Sequence, residues 1–211
     1  MQLINAVQDA TTNLQCYDVH WKLLDTMLHG LVPQHRERVY IVAIKRCGRS
    51  SVPFTWPSMV APVDLHVLRD PHDAKPFSYT DYPYGNFTKT AAANLRKAVE
   101  KITALANSEG REPESYPVVV DLGSSKLNMG IGYCPCLTSS RCSSRGYAWL
   151  QTARRLSTAE MFKLQGFTEE DMVKMDFVLP RGKLAYMLGN AFTKTAIARV
   201  LKRAAVTAVA P

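Results

Sequence analysis

The chain has 211 residues, 46% of them hydrophobic, enough to bury a core as one domain or two small ones. No apolar run approaches the roughly 18 residues of a membrane span, and no basic-then-apolar export signal opens the chain, so an intracellular protein is expected, nuclear if its source is eukaryotic and cytoplasmic if bacterial or phage. The formal charge of +8, from 26 basic against 18 acidic residues, favours polyanions, but ribosomal and membrane-surface proteins share such a balance.

Leu3, Val7, Ala10 and Leu14 recur at helical spacing and predict a short helix over 2–14 with one apolar stripe. Tyr17, Val19, Trp21 and Leu23 then alternate with Asp18, His20 and Lys22, the period of a half-buried strand. After a turn-rich link, Val39 to Ile44 forms a continuous apolar run rich in β-branched residues, which predicts a strand of a parallel sheet covered on both faces. Gln34, Arg36 and Arg38 fall at one end of that strand, where open α/β sheets tend to place ligands. Arginine presents a planar fork of donors that holds a phosphate or a base edge at two points. A solvated ion pair of Glu37 with a neighbouring arginine explains the same residues and is worth little. A helix and two strands cannot close a doubly wound sheet; they leave edges and an apolar face needing partners.

From about Gly48 to Gln151 the composition shifts to Pro, Ser, Tyr and Gly, with Pro53, Pro57, Pro62, Pro71, Pro76 and Pro83 punctuating a loop-dominated stretch. Leu95, Val99, Ile102 and Ala106 mark an amphipathic helix over roughly 88–107, Pro117 to Leu122 reads as a strand, and Gly123 to Arg145 as an irregular loop. The five cysteines, Cys16, Cys47, Cys134, Cys136 and Cys142, are an odd, unevenly spaced set that predicts reduced thiols. Cys134, Cys136 and Cys142 lack the paired hooks and fourth ligand of a structural zinc site, so small residues in a loop are the favoured reading and no metal is expected.

The last part is the most regular. Ser157-Thr158-Ala159-Glu160 is a capping box that fixes a helix start, with Met161 and Leu164 facing inward and Gly166 ending the helix. Thr168 to Asp171 starts another, acidic-headed helix. A turn at Leu179-Pro180-Arg181-Gly182 leads to Gly189-Asn190 and a terminal helix whose stripe is Ala196, Ile197, Val200, Leu201 and Ala204, with Lys194, Arg199, Lys202 and Arg203 opposite. Residues 153–211 carry ten basic and five acidic side chains, a net +5.

Three strings in this order carry a family resemblance. Pro33-Gln34-His35-Arg36-Glu37-Arg38 followed by an apolar strand resembles a signature of the DNA cytosine-5 methyltransferases. Arg155-Leu156-Ser157-Thr158-Ala159-Glu160-Met161-Phe162-Lys163-Leu164-Gln165-Gly166-Phe167 is similar to that family's penultimate motif, and Ala185-Tyr186-Met187-Leu188-Gly189-Asn190-Ala191 to its closing one. Missing are the Gly-rich turn that cradles S-adenosylmethionine, the nucleophile's Pro-Cys loop and the Glu-Asn-Val segment; Pro135-Cys136 comes too late in the order to be that loop.

The resemblance implies the C-terminal part of a Rossmann-like, S-adenosylmethionine-dependent α/β methyltransferase sheet plus a smaller, irregular target recognition domain. Residues 1–47 would end the catalytic domain, 48–152 would be the recognition domain, and 153–211 would return to the catalytic domain. Arg38 would contact the flipped cytosine and its phosphate, with Arg36 and Gln34 supporting that pocket. Gly189, Asn190 and Ala191 would line the cofactor site. Cys136-Leu137-Thr138 resembles the family's Thr-Leu element beside the flipped nucleotide, with Cys136 in place of the usual Thr; it and Arg141 would face double-stranded DNA. Trp56, Tyr79, Tyr82, Tyr84 and Phe87 are candidates for base stacking or for ordinary packing. The nucleophile would come from a complementary N-terminal half, and without it the chain is expected to be inactive and to expose an apolar patch. A non-catalytic DNA-binding module and a truncated remnant are the alternatives.

Overall fold

The computed structural model describes residues 17–45, 53–68, 79, 82–176 and 178–209, so the helix expected over 2–14, Cys16 and Cys47 lie outside the described residues. The alternating segment forms strand β1 (Tyr17–Asp25), which a one-turn helix α1 (Thr26–His29) leads out of. The apolar run forms strand β2 (Glu37–Lys45), antiparallel to β1 with Trp21 opposite Ile41 and Leu23 opposite Val39. The expectation of a parallel strand covered on both faces is therefore corrected. The reason is the period of two: Leu24, Tyr40 and Val42 share the face that packs on Ala196 and Val200, whereas Trp21, Leu23, Val39 and Ile41 share the other. That second face is bare among the described residues, Trp21 being 42% and Leu23 50% exposed.

Coverage on both faces belongs instead to a second, four-stranded sheet, ordered β4-β3-β5-β6 and antiparallel throughout, of β3 (Val118–Asp121), β4 (Met129–Ile131), β5 (Tyr147–Trp149) and β6 (Arg154–Arg155). Helix α2 (Lys89–Glu109), capped by Thr88 and ended by Gly110 in the left-handed region, packs Leu95, Ala98 and Ile102 on the Val118, Val120 and Ala148 side. Val119, Tyr147 and Trp149 point the other way, into a core with Leu137, Met161, Phe162, Leu164, Leu184 and Leu188. The stretch Gly123 to Arg145, expected to be irregular, contains β4 and a short helix α3 (Ser139–Ser143).

The capping box forms as written. Ser157 Oγ accepts from the Glu160 N–H and Glu160 Oε2 accepts from the Ser157 N–H, opening helix α4 (Thr158–Leu164), whose Met161 and Leu164 are buried. Helix α5 (Glu169–Asp176) follows. The expected Leu179–Gly182 turn is instead the start of helix α6 (Arg181–Asn190), with Pro180 at its N-cap, where a fixed φ suits the first turn. Helix α7 (Lys194–Val209) buries Ala196 and Val200, but Leu201 is exposed, a correction to the stripe expected there. No helix among the described residues is long and apolar enough to cross a membrane.

Asp171 ties helix α5 to the start of α7. The Lys194 ammonium, 2.5 Å from its Oδ2, and next the Thr168 N–H hold the Asp171 carboxyl down at about 2, against an ordinary value of 3.8. A carboxyl depressed on folding stabilises the fold above its unfolded pKa, and that contribution disappears as pH falls through the folded value. The wild-type chain should therefore be more stable than Asp171→Asn near neutral pH, the gap closing between 3.8 and about 2. Urea midpoints at the two pH extremes measure it; a gap that persists in acid would rule out the charge as its cause.

Candidate functional site

The site is built on the short segment between α1 and β2. Asp25 caps α1 by accepting from Met27, and the same Oδ1 accepts the Arg36 N–H at 3.0 Å while Oδ2 meets His35 Nδ1 at 2.7 Å. This fixes Gln34 to Arg36 in an extended course that bridges, in parallel, to Cys134 through His35 N–H to Cys134 O and Cys134 N–H to Pro33 O. The Gln34 side chain is fully buried, and its amide has no hydrogen-bond partner among the described residues.

Arg36 is 3% exposed, and its fork is divided between two distant segments. Nη1 donates to Leu137 O at 2.6 Å and to Cys136 Sγ at 3.3 Å; Nη2 donates to Ala191 O at 2.9 Å and Gly189 O at 3.2 Å. The planar guanidinium suits this double address, since each terminal nitrogen faces a different loop. Arg38, two residues on and on the same strand face, is half-buried: Nη1 donates to Glu37 O at 2.6 Å and Nη2 to Cys136 Sγ at 3.6 Å. Of an arginine's five N–H donors these engage two, leaving its cation in reach of solvent. The Glu37 carboxylate is not its partner; the contact is to the Glu37 carbonyl.

Tyr147 holds the Cys136–Thr138 segment from beneath. Its hydroxyl donates to Cys136 O at 2.7 Å and accepts from the Thr138 N–H at 3.1 Å, and burial pushes the phenol well above its ordinary value. Thr138 is exposed at the N-cap of α3 with no side-chain cap bond, which leaves its hydroxyl outward. Cys134 and Cys142 are buried, and burial raises the Cys142 thiol to about 12 and that of Cys134 well above the usual range. Leu137 is fully buried and is a packing residue. Arg141 faces elsewhere: its Nε pairs with Asp121 Oδ1 at 3.0 Å and its Nη2 donates to Gly123 O, so its fork braces the end of β3.

Gly189 is where α6 meets α3. A Cβ there would lie closer than 3.0 Å to the backbone of Thr138 and Ser139, so only glycine permits this approach. Gln165, wholly buried, holds the closing segment in place: its Nε2 donates to Leu188 O at 2.6 Å and its Oε1 accepts from Thr193 Oγ1 at 2.9 Å. Asn190 is exposed and, with Ala191, edges a cavity of about 320 Å³ otherwise lined by Phe162, Phe167, Met175, Leu184, Met187 and Leu188.

Gln34, Arg36, Arg38, Cys136, Leu137, Gly189 and Ala191 thus gather at one junction, with Thr138 and Asn190 at its rim and Arg141 outside it. The sequence did not point to Asp25, Tyr147 or Gln165. Asp before a four-residue turn was a visible cap signal; nothing local marks Tyr147, whose partners lie 9 and 11 residues upstream. Of the aromatics, Tyr79 and Tyr82 are core residues, Tyr84 sits under Arg96 at 4.8 Å, Phe87 faces Arg155 at 5.9 Å, and Trp56 packs edge-on to Phe54.

A solved methyltransferase of Entamoeba histolytica, EhMeth, has a similar fold, with a TM-score of 0.52 and 12% identity over 95% of this chain and 57% of that one. The chain spans little more than half the length of that neighbour. No curated protein sequence matches it. The family profile described as C-5 cytosine-specific DNA methylase matches residues 3–205, nearly the whole sequence and every segment that meets at Arg36, and on that match the chain belongs to the C-5 cytosine-specific DNA methylase family.

Proposed function

We propose that the chain works as the C-terminal portion of a DNA (cytosine-5-)-methyltransferase, moving a methyl group from S-adenosyl-L-methionine to C5 of cytosine in double-stranded DNA, with the nucleophile supplied by a complementary N-terminal portion. The observation that carries it is the junction itself: the arginine string, the Cys136-Leu137-Thr138 element and the closing Gly-Asn-Ala string, over 150 residues apart at the extremes, meet on one guanidinium. Residues 48–152 act as the recognition domain, set between two catalytic-domain segments, 1–47 and 153–211. In the reaction the cytosine is swung out of the duplex, since its ring carbon is unreachable within the stack. A cysteine thiolate from the N-terminal portion adds to C6 and makes C5 nucleophilic.

This chain's residues position that event. Arg38, with free N–H directions, holds the flipped base and its phosphate; Arg36 and Gln34 fix the strand end from behind. Thr138 offers its hydroxyl to the DNA backbone, Cys136 flanks it, and Arg141 stiffens the element, contacts that orient a duplex without reading it. The residues present fit one edge of S-adenosylmethionine. Asn190 offers an exposed amide and the adjoining apolar cavity suits a flat ring, whereas the Gly189 and Ala191 carbonyls already accept from Arg36 and shape the site. When bound, that group supplies the methyl carbon.

Pure chain should transfer no tritium from labelled S-adenosylmethionine to duplex DNA, and adding a complementary N-terminal portion should restore transfer. Arg38→Ala should then lower the rate by roughly 100-fold with the fold intact, the scale of losing one preorganised charge contact. Robust transfer by the pure chain would refute the need for a partner. Binding of duplex without any transfer in the mixture would favour a DNA-binding module.

The β1–β2 face left bare among the described residues supports the same reading, because Trp21, Leu23, Val39 and Ile41 make a contiguous apolar surface of the kind that marks an interface. The isolated chain should associate or aggregate, and co-expression with the N-terminal portion should give a monodisperse complex with a sharper thermal transition. Light scattering checks this; a well-behaved monomer indifferent to the partner would speak for a stand-alone module.

A further inference from the structure

We infer that Arg36 is a positioning residue that joins the DNA-facing element and the cofactor-facing segment into one opening unit, so that ligands at either strengthen binding at the other. The inference rests on the functional reading above for what the two segments bind, but the joining itself does not. Each terminal nitrogen of Arg36 serves one segment, Nη1 the carbonyl of Leu137 and Nη2 the carbonyls of Gly189 and Ala191. Thr138 and Ser139 lie against Gly189 with no room for a Cβ, so the two backbones are in contact beside the same guanidinium. The Arg36 backbone is in turn fixed at both its polar atoms, the N–H to Asp25 and the carbonyl accepting from Thr26 at 3.1 Å.

A buried cation that loses one of these segments leaves donors without acceptors, so release of either weakens the hold on the other. Lysine cannot replace it, because one ammonium has no second nitrogen to address the second loop. Each segment also carries an outward group, Thr138 at the N-cap of α3 and Asn190 at the edge of the apolar cavity. A ligand that holds Asn190 and Ala191 therefore orders Cys136 to Thr138, and DNA on that element orders the closing segment, with equal coupling in both directions.

Native-state hydrogen exchange at sub-denaturing urea tests it, on the full chain kept dilute enough to be monomeric and, for the ligand arm, on its complex with the complementary N-terminal portion. In the wild type, amides of 134–142 and 188–193 should show protection within about twofold of each other at every urea concentration, the behaviour of one cooperative unit. In Arg36→Lys both should lose protection by about tenfold or more and diverge, while amides of Val118–Asp121 and Tyr147–Trp149 keep theirs and show the variant folded. S-adenosylhomocysteine should raise protection of both segments together, by about fivefold or more, in the wild type and of 188–193 alone in Arg36→Lys. Independent exchange of the two segments in the wild type, or joint exchange surviving in the variant, overturns the inference even if the variant is unstable. S-adenosylhomocysteine that changes no amide in the wild type overturns the cofactor role of Asn190 and Ala191, and the ligand-free exchange still decides the joining.

Discussion

Gly189→Ala will destabilise the chain by about 3 kcal/mol, at the upper end of what overpacking a tight site costs. The sign is the informative part. Gly189 lies within helix α6, where replacing glycine by alanine in an exposed position gains up to about 1 kcal/mol from helix propensity alone. Here the added methyl meets the backbone of Thr138 and Ser139, which no rotamer change can move aside. Either α6 shifts away from α3, and the Gly189 carbonyl with it from Arg36, or the loop before α3 distorts. Urea denaturation followed by circular dichroism gives the answer, and an unchanged or raised midpoint would mean that the approach is looser than it looks. The same substitution should reduce duplex affinity, because the displaced backbone carries Thr138.

Glu160→Ala should cost about 3 kcal/mol, the lower end of the range for removing one partner of a buried ion pair, because Glu160 is buried but the Arg154 side chain is 32% exposed. The carboxylate is buried and makes four bonds: Oε1 accepts from Trp149 Nε1 and Arg154 Nη2, each at 2.8 Å, and Oε2 from Arg154 Nη1 at 2.9 Å and the Ser157 N–H at 2.7 Å. Its removal takes two hydrogen bonds from the guanidinium of Arg154, opens the α4 cap, and frees the indole of β5 in one step. Since about 1 kcal/mol moves the melting temperature of a chain this size by roughly 2–4 °C, a drop of about 10 °C is expected. Glu160→Gln keeps one acceptor and loses the charge, so it should fall between; a melting temperature of Glu160→Ala within 2–3 °C of wild type, under about 1 kcal/mol, would show the bidentate pair to be of little consequence.

What the sequence made legible was whatever is decided within a few residues. Ser157 and Glu160 announced their helix because a capping box is a local bond pair, and Leu95, Ile102 and Ala106 announced α2 because burial repeats with the helical turn. Strand β2 was visible as a strand, but its partner was not: an unbroken apolar run fits a parallel strand sheathed on both faces and equally an antiparallel one whose second face lies bare. The polar alternation of β1, with Asp18, His20 and Lys22, was the available clue to a half-covered ribbon. The motif strings located Arg36, Gly189 and Cys136, yet nothing in them told that Arg36 would bond carbonyls rather than phosphate, because main-chain acceptors have no sequence signature. The α6 start was hidden for a similar reason: Pro180 and Gly182 fit a turn, and a proline standing directly before a helix fits them as well.

The wide sequence separation at Arg36 sets the order of events in folding. Its bonds run to residues 101, 153 and 155 positions downstream, so none of the closing ones can form until α6 has been synthesised. At roughly 5–20 residues per second, that interval is on the order of 10 s on the ribosome. Throughout it Nη2 of Arg36 lacks its carbonyls and the nascent β1–β2 ribbon waits without Ala196 and Val200 to cover its inner face. Long-range closure of this kind lags local structure, so α2 and the β3–β4 pair would consolidate first and the arginine would lock last. A nascent chain in that state exposes both faces of a two-stranded ribbon, and its vulnerability to misassociation is therefore greatest during translation, before the last quarter of the chain arrives.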